Sequence, residues 1–511
     1  MFRLRHLSLA LLFTLSTTAH VTHAEGVKGG VINVAMVGEP PTLDPMLSTA
    51  DLVGTITQHF FETLYTFDDA WKITPLLAAG MPTISDDGKT YTIPLRQDVT
   101  FQDGQPMTAK DVLASLQRWE NVASRGRQTG KIIDSISAPD DHTLQIQLKQ
   151  AYAPLLALLA MNNSAAVIMP ATQTQETPLS HFIGTGPYQL KSHQPDQYIQ
   201  LTRYDGYRSL DGKSDGYGGA RKQYLDEIRF VPVPDPNTRV EGAVAGQFQY
   251  ADALPVESYD KLKNGVDKPE ILKPFGWPVM VMNTKQGLTA NLKIRQAIQA
   301  ALAPQDMLTA AFGSPSFFTT DGAMYPQGNI WHTQAGTDPY KPMGDTAKAQ
   351  TLLKEANYQG QPLRILTSRQ YEFHYKLAQV AQAYLEAAGF KVKLDVQEWA
   401  SLTQNRANPE RWDIYISHSP FLPEPSLTGI MADSAPGWWS SDKKHAALEA
   451  FNRETDPQKR VALWANVQKA IYEDVPIFKV GNFNALYAQS PKLQGVTPSP
   501  WPYFWNAWLT K

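Results

Sequence analysis

The sequence predicts an α/β protein with more than one hydrophobic core. Residues 363–396 are predicted to form strand, helix and strand: an apolar run at 363–367 precedes helical spacing from Glu372 to Ala388, and a second apolar run follows Gly389. This order is typical of a parallel, doubly wound sheet. The 511-residue length also exceeds one ordinary core.

In the first part of the chain, strands alternate with loops and helix starts. A short strand at 31–36 is followed by prolines that favour an extended loop, and helical spacing then runs from 51 to 64. A turn at 86–89 joins two strands, Thr108 begins a helix with one apolar face, and 143–148 alternates as a strand.

The next elements indicate where the chain passes between two cores. Residues 226–233 form a predicted strand that leads through Pro234-Asp235-Pro236 into a helix ending near Gly246. A β run at 275–282 ends at Asn283, where we place a crossing between lobes.

Composition excludes several functional classes. The chain is 42% apolar and carries a net charge of −3, which gives no basic surface for nucleic acid or anionic lipid. It contains no nucleophile elbow, no His-Glu-x-x-His zinc helix and no paired cysteines. We therefore expect neither an enzyme nor a protein that holds a cofactor or metal.

Residues 1–24 are interpreted as an export signal. Arg3 and Arg5 precede a short apolar core, and Thr22-His23-Ala24 offers a cleavage site. A retained membrane anchor is the alternative, but no other run approaches about 18 apolar residues. Because the chain has no cysteine, it has no disulfide and no thiol for a lipid. We expect a soluble protein in a Gram-negative periplasm that is not a lipoprotein.

Short motifs spread along the chain occur in a recognisable order. They lie in loops, turns and helix starts, and are Glu39-Pro40-Pro41-Thr42-Leu43-Asp44-Pro45, Phe101-Gln102-Asp103-Gly104, Gly184-Thr185-Gly186-Pro187-Tyr188, Asp235-Pro236-Asn237-Thr238-Arg239, Asn283-Thr284-Lys285 and Lys293-Ile294-Arg295-Gln296-Ala297. Together they resemble family 5 solute-binding proteins of ABC importers, a family that includes peptide, nickel and opine receptors.

The resemblance implies a two-lobed periplasmic binding protein fold of type II, cluster C. One lobe would comprise residues 25–272 plus 480–511, with a small subdomain inserted at about 60–185, and the other would comprise residues 273–479. A ligand would bind in the cleft between the lobes and favour their closure. The closed protein, expected to be a monomer, would be presented to a membrane permease driven by an ATPase.

The function implied by the resemblance is capture of a small solute for import. A peptide or peptide-like compound is the expected ligand. Two alternatives remain open: a receptor for a non-peptide ligand (an opine, a sugar or a metal chelate) and a sensory binding protein on the same scaffold.

Seven residues are candidate ligand contacts, and each could instead be an ordinary loop or packing residue: Glu39, Arg127, Arg369, Tyr371, His418, Phe421 and Trp438. Glu39 lies in a loop that lines the cleft in relatives. Arg369 follows a strand end where ligands tend to bind, and its guanidinium could pair with a carboxylate. His418 could stack, donate a hydrogen bond or bind metal. Trp438 could line the cleft.

The chain departs from the family pattern where peptide receptors carry an amine-binding aspartate. If Glu424-Pro425 is aligned with the family's acidic-Pro pair, Phe421 occupies that position and His418 replaces the aromatic residue before it. Glu424 could substitute for the aspartate or belong to the loop framework. Without the aspartate, capture of a free α-amine loses its strongest interaction, which puts ordinary di- and oligopeptides in doubt.

Overall fold

A computed structural model describes residues 26–510, so the interpretation of residues 1–24 as an export signal lies outside the described residues. The helices within that range are α1 (Asp51–Thr57), α2 (Ala109–Val122), α3 (Ser124–Gly130), α4 (Leu155–Leu158), α5 (Pro236–Val244), α6 (Tyr259–Lys263), α7 (Leu292–Ala301), α8 (Pro304–Phe312), α9 (Thr346–Glu355), α10 (Glu372–Ala387), α11 (Trp399–Asn405), α12 (Asp442–Arg453) and α13 (Pro457–Asp474). None of these is long and apolar enough to cross a membrane.

The strands in the same range are mostly short. They are β1 (Val31–Met36), β2 (Glu62–Thr63), β3 (Tyr65–Phe67), β4 (Ile73–Pro75), β5 (Thr83–Ile84), β6 (Thr90–Pro94), β7 (Ile133–Asp140), β8 (Thr143–Leu148), β9 (Val167–Ile168), β10 (Tyr188–Gln194), β11 (Tyr198–Arg203), β12 (Ser214–Asp215), β13 (Gly218–Gly219), β14 (Glu227–Pro232), β15 (Tyr250–Leu254), β16 (Lys268–Met282), β17 (Phe318–Thr319), β18 (Pro362–Thr367), β19 (Lys391–Val396), β20 (Ile414–Pro420), β21 (Ile477–Lys479), β22 (Asn482–Gln489), β23 (Leu493–Gln494) and β24 (Trp508–Leu509).

The largest sheet of the described residues is mixed and has 12 strands. Its order is β10-β11-β14-β1-β15-β22-β16-β20-β18-β19, with β17 paired to β22 and β21 paired to β16. Strand β1 is parallel to β14 and β15, and β18 is parallel to β19 and β20. The predicted strand–helix–strand unit is confirmed as β18, α10 and β19, and Gly389 ends its helix with φ +102°.

The long strand β16 connects two halves of this sheet. Its first residues pair with β22, and residues 276–282 pair with β20 after a register shift between Leu272 and Gly276. At Gly276 the backbones are so close that a Cβ atom would lie 2.0 Å from the carbonyl oxygen of Ser419. We call the strands from β10 to β22 the first half of the sheet, and β20, β18, β19 and the end of β16 the second half.

A separate antiparallel sheet lies in the early part of the chain. Its order is β5-β6-β8-β7, and α2 packs against β7 and β8. These elements fall within the subdomain predicted at about 60–185, but the limits of that subdomain and of the two lobes stay predictions. Buried apolar side chains of the described residues form two clusters, as the chain length led us to expect.

Two of the sequence motifs hold the first half of the chain together. Asp44 is completely buried and forms an ion pair with Arg118 of α2, with Oδ2 2.5 Å from Nη2. The amide nitrogen of Gln102 donates to the carbonyl oxygens of Phe60, Gly186 and Tyr188 at 3.1, 3.2 and 2.7 Å. These two motif residues therefore fix loops and helices rather than face an open cleft.

Candidate functional site

A large cavity lies beside the second half of the sheet. It encloses about 1750 Å³, including the part open to solvent. One wall comes from residues 47–51 and 124–129, and the other from residues within 399–407, 415–422 and 426–438. We call this cavity the front chamber. The two walls therefore come from distant parts of the chain.

The front chamber is rich in arginine. Arg125 is buried; its Nη1 donates to the carbonyl oxygen of Asn163 at 2.6 Å, and its Nη2 donates to that of Leu427 at 2.7 Å. Burial lowers the pKa of Arg125 to about 10, which still leaves the group charged at neutral pH. Arg127 and Arg406 also line the chamber. None of the three guanidinium groups forms an ion pair with a carboxylate within residues 26–510.

Asp51 is the acidic residue that faces these arginines. Its Oδ1 accepts hydrogen bonds from Trp501 Nε1 at 2.7 Å and from Asn163 Nδ2 at 3.2 Å. Burial raises the pKa of Asp51 to about 6, against the opposing effects of the Trp501 hydrogen bond and the positive charge of Arg125. Among the described lining residues of the front chamber, no other is acidic.

A second cavity adjoins the first where the sheet halves meet. It encloses about 950 Å³, including the part open to solvent, and its walls include Leu272 and Phe275 of β16 and residues 483–487 of β22. We call it the hinge chamber. Most of its wall is apolar or aromatic, with Phe312 and Phe373 among the rings. Its wall shares three residues with the front chamber, namely Asp51, Tyr371 and His418.

Asp252 brings a second carboxylate to the hinge chamber. Burial raises the pKa of Asp252, while a backbone hydrogen bond from Ala253 and the charge of Arg239 lower it. The guanidinium of Arg239 itself donates to the carbonyl oxygens of Val233 at 2.7 Å and Gln370 at 3.0 Å. Asp252 therefore forms no ion pair with any described residue.

His418 lies in both chamber walls as a neutral group. Its Nδ1 is 2.9 Å from Nε2 of His374, so one ring donates to the other. Burial lowers the pKa of His418 to about 3 and that of His374 far below its ordinary value. The ring of Tyr371 packs edge-on against His418 at 4.8 Å. No group of three or more potential metal-binding side chains occurs in residues 26–510.

Four of the seven candidate residues lie in the front chamber: Arg127, Tyr371, His418 and Trp438. Arg127 lies on the short helix α3. The ring of Trp438 stacks on Trp412 at 5.5 Å. The roles of these four residues in ligand binding stay predictions.

The other three candidates line neither chamber. The carboxylate of Glu39 contacts the ring of His193 and accepts from the Asp196 backbone N–H at 3.0 Å. Arg369 is exposed, and its guanidinium lies 4.2 Å from the ring centre of Tyr375.

The third of these, Phe421, packs its ring 6.1 Å from that of Tyr325. Nearby, Glu424 accepts two hydrogen bonds from Arg460, at 2.7 and 2.8 Å, and so belongs to the loop framework. The ligand-binding roles of Glu39, Arg369 and Phe421 also stay predictions.

Sequence reasoning missed Asp51, Asp252 and Arg406 as residues of the chambers. Asp51 resembles an ordinary acidic residue in the first turn of a helix. Asp252 and Arg406 belong to none of the motifs. The partners of Asp51 come from residues far away in sequence, such as Trp501, so no local spacing could have identified it.

Three hydrogen bonds link early and late parts of the chain around the chambers. Arg125 reaches the Leu427 carbonyl, Arg406 Nη2 donates to Thr49 Oγ1 at 3.2 Å, and Arg239 reaches the Gln370 carbonyl. These contacts therefore link the part of the chain before residue 240 to the part after residue 369.

The family model described as bacterial extracellular solute-binding proteins, family 5 Middle, matches residues 72–446. A probable peptide ABC transporter periplasmic-binding protein of Sinorhizobium fredii is 27% identical over 91% of this chain and 90% of its own. A glutathione-binding protein of Salmonella typhi is 27% identical over 90% of this chain and 91% of its own.

Solved structures with similar folds bind different solutes. A periplasmic binding protein from A. tumefaciens, in complex with agropinic acid, has a TM-score of 0.79 at 25% identity and covers 91% of this chain and 94% of its own. A dipeptide-binding protein of Pseudoalteromonas, in complex with Met-Leu, has a TM-score of 0.83 at 20% identity and covers 94% of this chain and 100% of its own. These likenesses confirm the predicted two-lobed α/β fold.

Proposed function

The chain belongs to the bacterial extracellular solute-binding proteins of family 5, and from this premise we propose that it is the substrate-binding component of an ABC importer. It captures a peptide or peptide-like solute between its lobes and delivers it to a membrane permease powered by an ATPase. It works as a monomer in the periplasm, exported without a lipid anchor. It performs no catalysis.

The front chamber is the observation that carries this proposal. It has the volume of a small-ligand site, and its walls come from residues 47–51 and 124–129 on one side and from residues within 399–438 on the other. A ligand that contacts both walls binds the closed form better than the open form, so it shifts the population toward closure. An affinity of about −8 kcal/mol, in the micromolar range, would capture a scarce solute and still release it.

The contacts we propose combine residues from both walls. Arg125 and Arg127 of α3 and Arg406 of the opposite wall supply positive charge for a ligand carboxylate. Tyr371 and Trp438 supply aromatic surface. The lobes that carry these walls are residues 25–272 plus 480–511, and residues 273–479.

A receptor for an opine-like ligand is the second candidate. Phe421 places no charge in the chambers at the position where peptide receptors carry an aspartate. The A. tumefaciens protein that was solved with agropinic acid is also 25% identical to this chain. An N-substituted amino acid would still offer a carboxylate to the chamber arginines.

Native mass spectrometry of the protein isolated from its own periplasm tests the proposal. We expect a non-covalently bound solute with the fragmentation pattern of a peptide or amino-acid derivative, and loss of its uptake when the gene is deleted. A protein that carries no solute and whose deletion leaves uptake unchanged would contradict the proposal. Turnover of the solute by the purified protein would contradict the absence of catalysis.

A further inference from the structure

Charge is divided unequally between the two chambers. The front chamber contains Arg125, Arg127 and Arg406 against the single carboxylate of Asp51. An uncompensated positive charge in a partly closed cavity favours an anionic group. The excess of arginine therefore points to a ligand with at least one carboxylate.

The hinge chamber has the opposite balance. Its one cation, Lys376, is already paired with Glu257 and Glu372, both near solvent. Two other carboxylates in the wall of this chamber, Asp51 and Asp252, form no ion pair with a described residue. The remaining surface is dominated by apolar and aromatic residues. This chamber therefore favours a cationic group attached to an apolar body.

We infer that the ligand is an amphipathic zwitterion that occupies both chambers. Its carboxylate faces the arginines of the front chamber, its protonated amine lies beside Asp51 and Asp252, and its apolar side chain fills the hinge chamber. This inference rests on the proposed function and deepens it by naming the class of solute.

The residues at the junction of the chambers are compatible with a cation. His418 is neutral because burial lowers its pKa to about 3, and so it does not repel an amine. Tyr371 lines both chambers, and its aromatic ring can attract a cation. Arg239 forms no ion pair with Asp252, because backbone carbonyl oxygens accept from its Nη1 and Nη2, although its charge still acts on the Asp252 carboxylate.

The amine would be held by carboxylates that the family alignment does not predict. At Phe421 the chain lacks the aspartate expected in peptide receptors, but Asp51 and Asp252 come from the opposite lobe. A free amine can therefore be bound here from the other side of the cleft.

Matched compounds test the inference. Three series, based on leucyl-alanine, phenylalanyl-alanine and phenylalanine, are each prepared as the zwitterion, the N-acetyl acid and the C-terminal amide, and binding is measured by calorimetry. In at least one series we expect the zwitterion to bind about tenfold or more tightly than both blocked forms, because each blocked form loses one charged contact. A blocked form that binds as tightly as its zwitterion in every series would overturn the inference, as would no binding of any zwitterion.

Two variants test which residue binds each charged group of the ligand. Asp252→Asn should weaken the zwitterion about tenfold and leave the N-acetyl acid unchanged, whereas Arg406→Gln should weaken the zwitterion and leave the amide unchanged. Asp211→Asn, at an exposed site outside both chambers, serves as the matched control and should change nothing. Circular dichroism and the thermal midpoint verify folding. Equal weakening of blocked and free forms by Asp252→Asn would contradict the assignment.

The failure of this inference can be separated from failure of the proposed function. If the solute recovered with the protein is purely anionic or uncharged and the deletion strain still fails to take it up, the inference of a zwitterionic ligand is wrong. The transport role is then still supported. Unchanged uptake of the solute in the deletion strain would overturn the transport role.

Discussion

The carboxyl group of Asp267 is fully buried, and neither of its oxygens has a hydrogen-bond partner within residues 26–510. Burial raises its pKa to about 7. The unfolded chain ionises this group near its ordinary value of 3.8, so the native state should lose stability as the pH rises from about 4 to about 7.

Replacement of Asp267 by Asn removes this titration. We expect the variant to gain roughly 1–3 kcal/mol relative to the parent at pH 8 and to differ far less at pH 4, because only the ionised carboxylate is penalised by burial. Urea unfolding across this pH range measures the effect. Asp211→Asn is the exposed control and should follow the parent at each pH. A constant difference between Asp267→Asn and the parent would contradict the assignment.

The ionisation of Asp51 sets a pH limit on amine binding. Its pKa of about 6 lies within reach of periplasmic pH, and the charged or titratable groups around it are Arg125, Asp252, Tyr371 and His418. Arg125, Tyr371 and His418 keep their charge states between pH 5 and 8, because burial places the pKa of Arg125 at about 10, raises that of Tyr371 and lowers that of His418 to about 3.

Affinity for a free-amine ligand should therefore fall as the pH drops below about 6, because protonated Asp51 no longer attracts the amine. Calorimetry with leucyl-alanine at pH 5 and pH 7 measures the change, because the ligand α-amine stays mostly protonated over this range, and Asp51→Asn should remove most of it. Stronger binding at pH 5 than at pH 7 would argue against contact between Asp51 and an amine.

Single residues were only partly predictable from sequence. Arg127, Tyr371, His418 and Trp438 were chosen from motif context, and their side chains reach the front chamber. The same reasoning chose Glu39, which instead contacts a neighbouring hairpin through His193 and Asp196. Local sequence identifies a loop, but the direction of a side chain depends on distant contacts.

At the scale of elements, the strands and helices followed the hydrophobic patterns except where tertiary contacts compete. The helix predicted at 51–64 ends at Thr57, and short strands follow. The carbonyl oxygens of His59 and Phe60 accept from the backbone N–H groups of Tyr188 and Gly186 instead of continuing the helix. Spacing alone could not reveal that competition, because its partners lie far along the chain.

Strand β16 requires glycine at position 276, and this requirement can be tested. Gly276→Ala should destabilise the protein by about 2 kcal/mol, because the new methyl group would meet the Ser419 carbonyl at 2.0 Å and push β16 away from β20. Gly80→Ala is the matched control, since its nearest neighbour would lie at 4.0 Å, and it should have almost no effect. Chemical denaturation measures both variants. Equal stability of the two would refute close strand packing at Gly276.

At the scale of the whole molecule, motif order predicted the two-lobed fold, whereas the chambers could not be predicted. Motifs such as Gly184-Thr185-Gly186 are needed for backbone packing, so they report the fold. The chamber charges come from residues such as Asp51 and Arg406, which lie far apart in the sequence. The fold could therefore be predicted from the sequence more readily than the ligand.

The central claim is that this protein closes around a solute that touches both lobes. Small-angle X-ray scattering of the protein stripped of solute and then saturated with its periplasmic solute tests that claim directly. We predict a smaller radius of gyration in the loaded sample, because the ligand favours the closed arrangement. Superimposable scattering curves for the empty and saturated protein would contradict it.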